Sequence, residues 1–109
     1  MTIKIKTIDP ITAHEWLTHQ EAIVIDVREP AEYKEAHISG AYLIPVGSID
    51  ITKLPQDAKN KKIVAHCKFG KRGGQACEKL LHENPNLDIY NIDGGIVAWE
   101  NAGFPIEKG

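Results

Sequence analysis

The sequence predicts an α/β fold, a mostly parallel central sheet with helices on both faces. Strand-like apolar runs alternate with helical patterns along the whole chain, and that alternation is the mark of β-α-β crossover units. The run Ala22–Val27 is apolar except for Asp26, as a strand buried on both faces requires. A third observation is the order of Ile63, Val64 and Ala65, then a glycine-rich charged segment, then Ala76, Cys77, Leu80 and Leu81 at helical spacing.

Taken in order, Ile3 and Ile5 alternate with lysines and predict an edge strand ending near Ile8. Asp9 and Pro10 suit the N-cap and first position of a helix whose Ala13, Trp16 and Leu17 face the core. The strand Ala22–Val27 follows. Its aspartate is costly to bury alone, and Arg28, two residues on and on the same side of an extended chain, is the partner expected for it. Glu29-Pro30 opens a helical turn over Ala31–Glu35 on which Tyr33 packs, and His37–Gly40 turns the chain, with His37 read as structural support. Ala41–Val46 reads as a strand. Ser48 is expected to cap a short helix through Leu54, stopped by Pro55, and residues 56–62 to form an exposed connection. Beyond the long helix, which ends before Pro85, Leu87–Ile92 supplies another strand. Asp93, Gly94 and Gly95 then turn into a last helix that carries Ile96, Val97 and Trp99 and ends at Gly103.

Composition narrows the function classes. The 109 residues are 42% hydrophobic and 26% charged, which suits one domain over residues 1–109 around a shared core. A net charge of −2 implies no general affinity for nucleic acid or for an anionic membrane. No apolar run approaches the roughly 18 residues of a membrane span, and MTIKIKTIDP lacks the apolar segment of a secretory signal, so a cytoplasmic location is expected. The two cysteines form no CxxC pair and are ill placed to bridge each other, and the five histidines show no zinc spacing, so neither a metal nor a cofactor is expected.

Chemistry concentrates at Cys67. It closes a strand and enters the segment Lys68, Phe69, Gly70, Lys71, Arg72, Gly73, Gly74, which precedes a helix. A loop entering a helix offers unpaired N–H groups and the positive end of the helix dipole, an anion site. The three glycines are expected to let the loop curl so that its amides face inward, with Lys68, Lys71 and Arg72 adding formal charge. An isolated cysteine at a strand end is ordinarily a small buried hydrophobe. Cationic, glycine-rich surroundings favour the thiolate instead, which makes Cys67 a candidate nucleophile. Cys77, on the apolar stripe of the next helix, reads as packing, and His66 is expected to point away from the loop because neighbouring strand residues face opposite sides.

These residues resemble the rhodanese family of sulfurtransferases. The resemblance lies in Cys67-x-x-x-x-Arg72 between strand and helix, in AIVIDVREPAEYKEAHISGAYLIPV over Ala22–Val46, and in DGGIVAWENAGFP over Asp93–Pro105. Two positions depart from the family's pattern: Ala36 precedes His37 where glycine is usual, and Gly73 follows Arg72 where serine or alanine is commoner. The resemblance implies a rhodanese-like three-layer domain in which Asp26 and Arg28 brace the active loop. It also implies transfer of a sulfane sulfur, from a donor such as thiosulfate to cyanide or a thiol, through a persulfide on Cys67. The loop Lys68, Phe69, Gly70, Lys71 and Arg72 would hold that sulfur.

Two other readings remain open at this point. Isolated domains of this resemblance can act as persulfide carriers or binding modules that deliver sulfur to a partner protein. Cysteine-dependent phosphatases and arsenate reductases also surround an oxyanion with a Cys…Arg loop, but one residue longer than the six residues from Cys67 to Arg72.

Overall fold

The computed structural model describes residues 3–109. Met1 and Thr2, the start of the segment read for a signal, lie outside the described residues. Five strands form one sheet: β1 (Thr7–Ile8), β2 (Ala22–Asp26), β3 (Tyr42–Leu43), β4 (Lys62–His66) and β5 (Ile89–Ile92). Their order across the sheet is β1-β5-β4-β2-β3, and every pairing is parallel. The helices α1 (Pro10–Thr18), α2 (Pro30–Glu35) and α3 (Lys71–Glu83) make the crossovers, together with 3-10 turns at Ile51–Lys53 and Gln56–Lys59, and α4 (Gly95–Asn101) follows the last strand.

Alternation along the strands divides the core in two. Ile23, Ile25 and Val27 of the β2 segment, with Ile63 and Ala65 of β4, face Ala76, Cys77, Leu80 and Leu81 of α3. Ala22, Val24 and Val64 face the other way, against Ala13 of α1 and Ile96 and Trp99 of α4. The expected three-layer α/β arrangement is thus observed. No helix among the described residues is long and apolar enough to cross a membrane.

Local signals set most boundaries. Asp9 caps α1 by accepting from the Thr12 N–H at 2.6 Å, and Pro10 takes the first helical position. Glu29 and Glu32 form a reciprocal capping box on α2. His37 is buried, stacked on Tyr33 at 3.9 Å between ring centroids, and hydrogen-bonded through its backbone to Glu107 at 2.8 Å.

Several elements differ from expectation. The first strand is confined to Thr7–Ile8, because only these residues pair with β5, and the third shrinks to Tyr42–Leu43 at the sheet edge. Asp50, not Ser48, caps the following turn by accepting from the Thr52 N–H at 2.9 Å, and that turn is a 3-10 helix. The helix α3 begins at Lys71, so Arg72, Gly73 and Gly74 belong to its first turn rather than to the loop.

Cys77 is fully buried against β4, and burial pushes its thiol up to about 12. Cys77→Ala is expected to cost about 1 kcal/mol, the loss of one small buried group. Urea denaturation measures that cost, and the native protein's Cys77 should resist iodoacetamide at neutral pH.

Candidate functional site

In an open parallel sheet the carboxyl ends of the strands carry the ligand site, and β4 ends there at His66. Cys67 is the next residue, 1% exposed, with its side chain in the core layer shared with α3. From it the chain makes a short loop over Lys68, Phe69 and Gly70 before α3 starts. The Gly70 N–H donates to Cys67 Sγ at 3.0 Å. Gly70 has φ +120°, a conformation that L side chains rarely adopt, and this lets the amide double back onto the sulfur.

The loop's carbonyls are fixed from outside it. The Ile96 N–H donates to the Cys67 carbonyl at 2.8 Å and the Val97 N–H to the Lys68 carbonyl at 3.2 Å. The Gly70 carbonyl accepts from the Gly74 N–H at 3.0 Å and from Asn91 Nδ2 at 2.9 Å. Because a trans peptide is planar, with its N–H opposite its C=O, each anchored carbonyl aims the following N–H the other way. The close approach of α4 requires Gly95: at φ +62°, a Cβ there would lie 2.5 Å from the Cys67 carbonyl oxygen. The Gly94-Gly95 pair read as a simple turn is therefore also the clamp on the loop.

Arg28 donates to Asp26 through Nε at 3.0 Å and through a terminal nitrogen at 2.8 Å, and to the Ala36 carbonyl at 2.7 Å. Both partners are buried, so the ion pair anticipated from their spacing is present and sealed. Beneath it, His66 pairs in register with Asp26. Its Nδ1 donates to the Cys67 carbonyl at 3.2 Å, while Nε2 lies 3.5 Å from the Asp26 carboxylate. Burial pushes the imidazole below its ordinary 6.5, with the Asp26 carboxylate pulling the other way. The side chain of His66 faces the Asp26 side of the sheet, away from the loop.

The structure does not leave Arg72 free over the sulfur. Its guanidinium makes a two-pronged contact with Glu32, at 2.7 and 3.0 Å. The Arg72 hydrogen bond holds the Glu32 carboxyl down at about 2. Lys68 and Lys71 are exposed, and Phe69 is 66% exposed with the Lys68 ammonium over its ring. A cavity of about 150 Å³ beside the loop is lined by Arg28, Glu32, Glu35, Lys68, Val97 and Glu100, so the site mouth mixes both signs of charge. A larger one, about 450 Å³, lies at the amino ends of β4 and β5, away from Cys67. Among the described residues, no cluster of three or more His, Cys, Asp or Glu could hold a metal ion.

Two residues of this site escape sequence reasoning, Glu32 as the partner of Arg72 and Asn91 as the anchor of Gly70. Only Asn91 carries a sequence signal, a carboxamide in the otherwise apolar and aromatic strand Ile-Tyr-Asn-Ile.

The rhodanese-like domain family matches residues 9–102. An uncharacterized protein of Synechocystis is 35% identical over 102 residues, covering 94% of this chain and 56% of its own length. A sulfurtransferase of Allochromatium vinosum is 32% identical over 87 residues, covering 80% of this chain and 79% of its own. The crystal structure of a thiosulfate sulfurtransferase from Pseudomonas aeruginosa superposes with a TM-score of 0.82 at 27% identity, over the whole of this chain and 20% of that one. The chain therefore spans little more than half of the Synechocystis relative and a fifth of the Pseudomonas protein.

The buried imidazole gives stability a defined pH dependence. A histidine whose folded pKa lies below 6.5 takes up its proton more readily when unfolded, so its contribution is full above pH 6.5 and is lost as pH falls below that value. The melting temperature should decline on acidification through this window, before the carboxylates titrate. In His66→Leu the decline should be shallower, as read by scanning calorimetry across pH.

Proposed function

Because the chain belongs to the rhodanese-like domain family, we propose that it transfers a sulfane sulfur, from an anionic donor such as thiosulfate to a thiophilic acceptor, through a persulfide on Cys67. The observation that carries this reading is the Gly70 N–H held 3.0 Å from Cys67 Sγ, in a loop whose Cys67, Lys68 and Gly70 carbonyls are anchored elsewhere. Sulfurtransferase relatives support transfer of sulfur as the reaction class, and the Pseudomonas protein's name supports thiosulfate as donor.

In the first step the Cys67 thiolate attacks the outer sulfur of thiosulfate. A sulfur–sulfur bond forms to Cys67, the bond to the sulfonyl sulfur breaks, and sulfite leaves with the bonding pair. The product is Cys67–S–S⁻. Cyanide or a thiolate then attacks the terminal sulfur, and the Cys67 thiolate is regenerated as thiocyanate or a new persulfide departs. Cys67 is oxidised to the persulfide level in one half-reaction and restored in the other, so no external redox agent enters.

The terminal sulfur's negative charge would be held by amides of Lys68, Phe69, Gly70 and Lys71, with the exposed Lys68 and Lys71 ammonium groups at the rim and Arg72 held to Glu32 beside it. Preorganised N–H dipoles suit this task because they need no rearrangement as charge arrives. Asp26 and Arg28, braced against Ala36 and His66, support the strand ends beneath. The span from Cys67 to Arg72 is short for a tetrahedral oxyanion and fits a single sulfur atom.

Cys67→Ser should abolish transfer from thiosulfate to cyanide and leave the melting temperature near that of the native protein. After thiosulfate treatment, mass spectrometry should find one added sulfur on the Cys67 peptide. Release of phosphate from an aryl phosphate with no sulfur transfer would instead place the chain with the cysteine-dependent phosphatases. A persulfide that forms but passes only to a protein thiol would make it a carrier.

Glu32 sets the charge that an anionic donor meets. Glu32→Gln removes a carboxylate and releases Arg72, and should lower the KM for thiosulfate about fivefold, equivalent to the ~1 kcal/mol of a partly exposed ion pair. The gain should shrink with added salt, as steady-state kinetics at two ionic strengths will read.

A further inference from the structure

Asn91 is a polar side chain that the chemistry above does not use. It lies on β5, 6% exposed, with its Oδ1 buried and without a hydrogen-bond partner among the described residues. A buried carbonyl left unpaired calls for an explanation, since buried polar groups are ordinarily hydrogen-bonded. Its other end is engaged: Nδ2 donates to the Gly70 carbonyl at 2.9 Å.

The three glycines of the segment surround this one carboxamide. A Cβ on Gly73 would lie 2.1 Å from Asn91 Oδ1, so that the carboxamide would have to move, and Cβ atoms on Gly70 and Gly74 would lie at ordinary contact, 3.9 and 3.6 Å from Nδ2. Gly73 is in the first turn of α3 and has no positive φ, so it has no conformational need to be glycine. What it supplies is space. Gly70 presents the opposite case. Its backbone is permissive and does not choose φ +120° by itself. An outside anchor is needed to hold it there.

We propose that Asn91 is a positioning residue for the Cys67 sulfur: its amide fixes the Gly70 carbonyl and with it the peptide that Gly70 shares with Lys71, from which the φ +120° of Gly70 swings its own N–H back onto Sγ, and Gly73 is bare to admit the carboxamide. This rests on the reading of Cys67 as nucleophile only for its effect on turnover. The geometric part stands independently. Asn91 touches neither the sulfur nor the donor and acts through the loop alone.

Asn91→Asp keeps the shape of the side chain but replaces its donor with a carboxylate oxygen, and Asn91→Ser is too short to reach the Gly70 carbonyl. Gly73→Ala displaces the carboxamide from the other side. In each, amide hydrogen exchange followed by NMR should show the Gly70 N–H exchanging about tenfold faster, the worth of one hydrogen bond, while Val64 in β4 keeps its native protection. The kcat for sulfur transfer should fall by a similar factor with KM unchanged. The double variant Asn91→Ser, Gly73→Ala should be no slower than either single one, because both remove the same contact.

Native exchange at Gly70 in these variants overturns the proposal. So does equal acceleration at Gly70 and Val64, which reports a general loss of stability. Should a position-91 variant not fold, Gly73→Ala carries the same measurement. If the native protein transfers no sulfur, the functional reading falls while the exchange data still decide the role of Asn91.

Discussion

The Cys67, Lys68 and Gly70 carbonyls are each held by a hydrogen bond from another part of the chain, and the geometry around the sulfur depends on that restraint. A short loop has few internal contacts with which to choose among its conformations, and glycine adds to the choice. Anchoring the carbonyls removes the freedom without putting any side chain between the loop and a ligand. The anchors come from the start of α4 and from β5, so the loop's shape is determined by elements distant in sequence. The same restraint explains Gly95, which brings the α4 amides close enough to reach the loop backbone.

Below the loop lies a second layer of restraint. Asp26, Arg28 and His66 gather at the carboxyl ends of β2 and β4. Arg28 answers the Asp26 carboxylate and the Ala36 carbonyl together, and His66 turns to the Cys67 carbonyl. A buried ion pair contributes little net stability, but loss of one member leaves an uncompensated charge in the core. Such a pair holds one arrangement against its alternatives, and here that arrangement joins the end of β2 to the start of the loop. Ala36 fits this role without glycine's freedom, because its backbone is extended at φ −165° and it is its carbonyl that Arg28 takes.

Features carried by near neighbours were readable from the sequence. The Asp9-Pro10 start of α1, the alternating strands and the Asp26–Arg28 pair all follow from spacings of a few residues, and so does the packing of Cys77. Strand ends were less legible, since Thr7–Ile8 and Tyr42–Leu43 are bounded by where a neighbouring strand stops rather than by their own residues. The site divides along the same line. Cys67 and its glycine segment were visible, but Glu32 lies 40 residues from Arg72 and Asn91 lies 21 from Gly70. Gly73 and Gly74 were read as curling the loop because glycine's usual reason is conformational. Gly73 instead leaves room for Asn91, a residue of another strand, whereas a Cβ on Gly74 would meet Asn91 only at the ordinary contact distance of 3.6 Å.

The pairing of Arg72 with Glu32 also changes where the site's electrostatic strength resides. Read from the sequence, three cations flank Cys67. In the folded chain the Arg72 charge is matched by Glu32, the Arg28 charge by Asp26, and Lys68 and Lys71 reach into solvent, where screening weakens them. The positive potential in contact with the sulfur then comes from the backbone, through the Gly70 N–H at 3.0 Å from Sγ. In the proposed reaction, formal charges at the rim would govern which donors approach, whereas the amides would act on whatever charge develops at Cys67. Separating these tasks allows the mouth to change its charge without disturbing the cradle, and it makes the backbone anchors at β5 and α4, more than any lysine, the parts on which sulfur chemistry at this site would depend.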